Sequence, residues 1–242
     1  YSAREANKTL NDEIMQIKQI YHLQEGDFGI TGNLVKRLDQ LFKRFELIEF
    51  KINENQTSYS HLCEELSAVK TLLESITLEQ SSFLEKIRAL RKDELTAREQ
   101  LKQLKKKIAE TIRLVSKSNI PGVPNEYKYL MEDARGSIQQ VIGKLDEKPL
   151  DIPVVQQYLE VAILTVEKVT HTTDELFEMV KLAEKAIQYG NRYRSQYSTV
   201  DKGLYEAEQF FRSFQYKKAF EQAASSIEKV DPNALKKIET LL

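Results

Sequence analysis

Apolar residues recur along this chain at alternating steps of four and three. From Leu34 the series runs through Leu38, Leu41, Phe45, Ile48 and Ile52, resumes at Tyr59, Leu62, Leu66, Val69, Leu73 and Ile76, and reaches Val115 with no slip of phase. Of its 24 positions 20 are apolar, counting Tyr and Ala, and only Asn55, Gln80, Glu94 and Thr111 depart. Such a stripe is one face of a helix, not of a strand. Residues 33–118 contain no Gly and no Pro. The spacing predicts one helix from residue 34 to about 115, on the order of 130 Å long at 1.5 Å per residue. The polar run Asn53–Ser58 is turn-like in composition and is the weak point of that reading.

Gly and Pro cluster at 26–32, 119–125 and 148–153, with isolated breakers at Gly190, Gly203 and Pro232. Clusters of this kind read as turns, because Gly admits positive φ and Pro fixes φ. Further seams flank them. Leu10, Ile14, Ile17 and Tyr21 precede the first cluster. Tyr127, Met131, Ala134, Ile138, Val141 and Leu145 follow the second, and Val155, Tyr158, Ala162, Val169, Leu176, Val180, Ala183 and Ile187 follow the third. Asp231-Pro232 fits an N-cap with Pro at the first helical position. The pattern predicts an all-α fold of tandem spectrin-like antiparallel three-helix bundles sharing a long continuous helix. The expected domains are 1–75, part of one repeat; 76–190, a second repeat; and 191–242, carboxy-terminal helices packed on the last repeat.

Composition narrows the function classes. Lys and Arg number 36 against 37 Asp and Glu, a net charge of -1, so there is no global electrostatic reason to expect nucleic acid. The single cysteine, Cys63, has no intrachain partner and reads as a partly buried structural thiol. His22, His61 and His171 have no metal-ligand spacing, and no phosphate-binding glycine loop or nucleophile elbow is present. Glu167 and Glu175 flank His171 at one helical turn, and Lys102, Lys105, Lys106 and Lys107 form a basic patch with acids around it. Both read as solvated helix faces. No cofactor, no metal and no catalysis are expected. Nine of the 21 Tyr and Phe residues fall between Tyr189 and Phe220, a density that predicts core packing of the terminal helices, from Tyr205 onward.

One segment resists a purely structural reading: Gln188, Tyr189, Gly190, Asn191, Arg192, Tyr193 and Arg194. It follows the seam residue Ile187 and offers Tyr and Arg, the residue types enriched at binding hot spots, with no neighbouring acid in the local sequence. It fits equally the end of a helix, with Gly190 as the residue after it and cations favoured by the helix dipole.

The stretch IQYGNRYRSQ at 187–196, its flank KLAEKAIQYGNRYRS, and the later AEQFFRSFQYKKAFEQAASSIEKVDP together resemble the carboxy-terminal part of the septation ring formation regulator family, EzrA. The likeness extends over essentially the whole chain, and the patch is its most specific element. The resemblance implies a bacterial division regulator that is not an enzyme. It implies FtsZ and other division-ring proteins as partners, with self-association possible. It also implies residence on the cytoplasmic face of the cell membrane, enriched at the septum, with membrane attachment only through an amino-terminal helix outside this sequence. In that family the patch matching Gln188–Arg194 serves midcell recruitment. The competing readings are a structural coiled-coil homodimer and a peptide-binding helical repeat.

Overall fold

The structure is a computed structural model and describes residues 15–22, 25–54 and 59–239. Its helices are α1 (Glu25–Asn53), α2 (Tyr59–Lys117), α3 (Asn125–Asp146), α4 (Ile152–Gly190), α5 (Ser198–Arg212), α6 (Tyr216–Glu228) and α7 (Ala234–Glu239). The fold is all-α. Residues divide into two compact units, one drawn from 1–99 and 142–157, the other from 100–141 and 158–242. A long helix, α2, contributes to both.

That helix starts later than the seam predicts. α1 ends at Asn53, and Glu54 is already in a turn. In the first unit α1 folds back along α2. Arg37 pairs with Glu79 at 2.5 Å and Lys51 with Glu65 at 2.8 Å. The two pairs have the same index sum, as an antiparallel hairpin requires. Leu41, Ile48, Val69 and Ile76 form its core. The single helix over 34–115 is therefore two helices joined near the polar run. α2 alone, at 59 residues, is about 90 Å long.

The glycine cluster at 26–32 is not a turn but lies within α1. The other two clusters are turns, as expected. Asp151 ends the third by accepting the Val154 N–H on Oδ1 at 3.2 Å, an N-cap for α4. In the same unit Tyr21 pairs with Leu150 in an isolated parallel bridge. Its hydroxyl donates to Glu94 at 2.8 Å, and Arg98 holds Glu94 from the next turn at 2.9 Å. Glu94 thus occupies a seam position as an anchored acid. Leu10 and Ile14 lie outside the described residues.

In the second unit α3 and α4 run antiparallel, tied by Tyr127 to Thr173 at 2.8 Å and by Ser137 to Thr165 at 2.7 Å, hydroxyl to hydroxyl. Tyr127, Ala134, Ile138 and Val141 face Val166, Val169, Leu176 and Val180, all buried. Thr111, polar in the α2 seam, is buried with its hydroxyl returned to Lys107 O at 3.0 Å. A buried hydroxyl satisfied by its own helix costs little.

The terminal helices α5, α6 and α7 pack on the end of α4. Val200, Leu204, Ala207, Ala223, Ile227, Ala234 and Ile238 join Ala186 and Tyr189 in one buried cluster. The aromatic density is only partly core. Tyr216 is 2% exposed, Phe211 and Phe220 are half-buried, and Tyr205 faces solvent at 59%. Tyr205 lies on the outer face of α5, where the helical period puts the polar side. Cys63 is exposed, not partly buried.

Candidate interaction site

The patch begins in the last turn of α4 and ends in a run of tight turns. Asn191 N–H still donates to Ile187 O at 3.0 Å, a full helical bond. After it the spacing shortens. Arg192 donates to Tyr189 O at 3.3 Å, and Tyr193 to Gly190 O at 2.9 Å. The chain thus leaves α4 through a run of tight i-to-i+3 turns before α5, a common way to satisfy terminal carbonyls.

The seven residues separate into two groups. Tyr189 and Gly190 are buried, while Tyr193 and Arg194 are half-buried. Gly190 sits where a Cβ would come 2.8 Å from Leu204 Cδ2 and 3.0 Å from Ile227 Cδ1. Close packing against α5 and α6, rather than positive φ, explains the glycine. The described glycines have no positive φ, so the left-handed helix-ending role read from the sequence does not apply.

Tyr189 and Tyr193 both donate to one carboxylate oxygen of Asp231, at 2.7 and 3.2 Å. The neighbouring Tyr189 hydroxyl, then burial, then Asp231 push the Tyr193 phenol up to about 12. Asp231 is held well below the usual carboxylate range, first by Lys237 at 2.7 Å and then by Tyr189.

Arg194 is also occupied. Its Nε donates to Asp201 at 2.7 Å, and its Nη1 to Glu208 at 2.7 Å and to Asn191 Oδ1 at 3.2 Å. Glu208 first, then Asp201, raise the guanidinium's already high pKa. The local sequence has no acid beside this arginine, but α5 supplies two. Arg194 is set apart by half-burial and these two acids from Asn191 and Arg192, which stay exposed. Its loss should lower stability by about 1 kcal/mol, since partly exposed pairs contribute ~0.2–1 kcal/mol each. Urea titrations of Arg194→Ala at low and high salt check this. The cost should shrink with salt, and an unchanged midpoint at low salt would contradict it.

Gln188, Asn191 and Arg192 remain exposed. The Arg192 guanidinium lies 5.1 Å over the Tyr189 ring, a cation–π contact that pins the stem and leaves donors outward. Tyr189 and Tyr193 themselves stand 5.9 Å apart, tilted by 51°. The patch is therefore a polar, cationic edge on a rigid aromatic base. The burial of Tyr189 had a legible signal, because the apolar steps Val180, Ala183 and Ala186 lead on to it.

The remaining candidates are solvated. His171 and Glu175 approach to 3.4 Å with both side chains exposed, and Lys106 and Glu110 to 3.8 Å likewise. Among the described residues no group of three or more His, Cys, Asp or Glu could hold a metal ion. Among them, too, no helix is long and apolar enough to cross a membrane.

An all-helical fold with an exposed polar edge at the carboxy-terminal end of α4 defines the class, a helical-bundle protein. The chain belongs to the septation ring formation regulator family, EzrA, whose family profile matches residues 1–242. It is 41% identical over 237 residues to the septation ring formation regulator EzrA of Geobacillus sp. (strain WCH70), covering 98% of this chain and 42% of that protein. To the regulator of the same name from Geobacillus kaustophilus it is 43% identical over 239 residues, covering 99% and 42%. A solved structure, the cytoplasmic domain of bacterial cell division protein EzrA, matches with a TM-score of 0.56 and 35% identity over 98% of this chain and 46% of that one. The chain thus spans about two fifths of the length of these relatives.

Proposed function

We propose that this chain carries a contact region of a division regulator, binding FtsZ or its ring partners and restraining aberrant rings without catalysing a reaction. The observation that carries the reading is the sorting of the patch. Tyr189, Gly190, Tyr193 and Arg194 are engaged by the fold, whereas Gln188, Asn191 and Arg192 are offered to solvent from the same turn. Arginine on an aromatic base is a hot-spot arrangement that suits a carboxylate on the partner.

Arg192→Ala tests it. Stability should change within ~0.5 kcal/mol, as for most surface substitutions, while midcell enrichment of the full-length protein in cells should be lost. Unaltered midcell bands would place recruitment elsewhere. A collapsed melt would show that the residue is structural.

One observation supports self-association as a second role. The seam of the α1–α2 hairpin is half-covered, with Phe45, Ile52, Leu66 and Leu73 each at least 41% exposed. Light scattering at two concentrations separates the readings, because a dimer's apparent mass falls on dilution.

A further inference from the structure

We propose that Asp231 is the positioning residue of the patch and that α7 is the strut that carries it, so that docking of α7 and the shape of the patch are one equilibrium. The proposal deepens the recruitment reading and rests on it only for its cellular consequence.

Asp231 lies 37 residues beyond Arg194 in sequence (231 − 194), yet its carboxylate is where three pieces of chain meet. Its Oδ2 accepts the Tyr189 hydroxyl from the end of α4, the Tyr193 hydroxyl from the turns after it, and the Lys237 ammonium from α7. Its Oδ1 accepts the Asn233 N–H at 3.2 Å, and its backbone O accepts the Ala234 N–H at 3.0 Å, which starts α7. The side chain is only 12% exposed, so water replaces these donors poorly.

The apolar side of the arrangement follows the same plan. Ala234 and Ile238 are fully buried in the cluster that holds Ala186 and Tyr189. A helix of six residues is far below the length that is stable alone. α7 therefore persists only while it is docked, and two of its tethers are Tyr189 and Tyr193, both in the patch. Conversely, the tyrosine hydroxyls face inward because Asp231 receives them. Without it, the Tyr189 ring loses one of the constraints that orient it beneath Arg192.

The carboxylate is chemically required here. Asparagine has the same shape, but only one of its two terminal atoms accepts. Its NH₂ would confront either the Asn233 N–H or the tyrosine and lysine donors. The charge that holds Lys237 would also be gone.

Hydrogen exchange read by mass spectrometry on the full-length protein tests the coupling. Asp231→Asn should accelerate exchange severalfold both in 189–197 and in 233–239, leaving the α1–α2 hairpin unchanged. Acceleration in only one of the two segments would overturn the proposal. Should Asp231→Asn unfold the second unit outright, Tyr193→Phe decides. It removes a single hydroxyl from the patch, and exchange should rise in 233–239; unchanged exchange there would overturn the coupling.

Midcell enrichment separates this from the recruitment reading. If Arg192→Ala leaves the bands intact, the recruitment reading fails and the exchange result still stands. If Arg192→Ala abolishes them while Asp231→Asn and Tyr193→Phe preserve them, Asp231 does not position the patch.

Discussion

Replacing Tyr216 with alanine should cost about 3–5 kcal/mol, the range for deleting a large buried aromatic. Tyr216 is 2% exposed, in a cluster with Tyr127, Leu176 and Val180, and its ring meets Phe211 edge-on at 5.0 Å and 72°. Its hydroxyl donates to Gly122 O at 2.6 Å. It therefore fastens the start of α6 to the turn between α2 and α3. Phe214, two residues earlier, presses on the same turn: a Cβ at Gly122 would lie 2.5 Å from its ring, and Phe214 holds a φ of 63°. A non-glycine residue rarely accepts that conformation unless its surroundings over-determine it. Tyr216→Phe keeps the packing and should cost only about 1 kcal/mol, the net value of one hydrogen bond.

Burial raises the Tyr216 phenol above its ordinary 10.0. The stability this shift contributes is thus full below pH 10 and is lost as pH rises through the folded value. Calorimetry should assign the alanine loss to the transition of the second unit. An unchanged melt would mean that the turn is not anchored there. Phe211→Ala should cost less, because Phe211 is only half-buried.

The seams were legible because they are set by helical period alone. Tyr127 to Leu145 and Val155 to Ala183 are buried almost as spaced. The hairpin between α1 and α2 was not legible, for a geometric reason. Ile52 and Tyr59 are seven residues apart, one heptad, so the connection returns the chain to the same phase as an unbroken helix. Only the composition of 53–58 hinted at it. The glycines at 26–32 misled in the opposite direction, since a helix tolerates isolated glycines at ~1 kcal/mol each.

The patch was legible as a segment but not as two groups. Which of its side chains are free depends on Asp201, Glu208 and Asp231. The first two stand 7 and 14 residues beyond Arg194, a regular spacing that could have been noticed. Asp231 arrives only through the packing of α7, and no local pattern announces that.

Gly203 gives the second large effect, and there sequence reasoning points the wrong way. Read as a breaker, it should improve on replacement, since Ala is better than Gly inside a helix by about 1 kcal/mol. It lies instead within α5, fully packed against α6. A Cβ added there would overlap Ser226 Oγ and stand 2.7 Å from Ser226 Cβ. The serine hydroxyl can rotate away, although it would give up its bond to Gln222 O at 2.7 Å; the Cβ cannot. The helices must separate, and overpacking of this kind costs ~1–3 kcal/mol. Gly203→Ala should therefore lower stability by about 1–2 kcal/mol in spite of the propensity gain.

The displacement has a destination. Leu204, next along α5, packs on Gly190, and Asp201 and Glu208 of the same helix hold Arg194. Moving α5 outward loosens the base of the patch, so midcell enrichment should fall along with the melting temperature. Rescue distinguishes this contact from a general intolerance of the site. Ser226→Gly removes both atoms in the way and leaves Ser226 Cα at an ordinary 3.9 Å, so Gly203→Ala should cost less beside it than alone. Ser226→Ala removes only the hydroxyl and should rescue less. Equal rescue by both would show that the hydroxyl was the whole obstacle, and no rescue by either would show that α5 and α6 are not in contact through these residues.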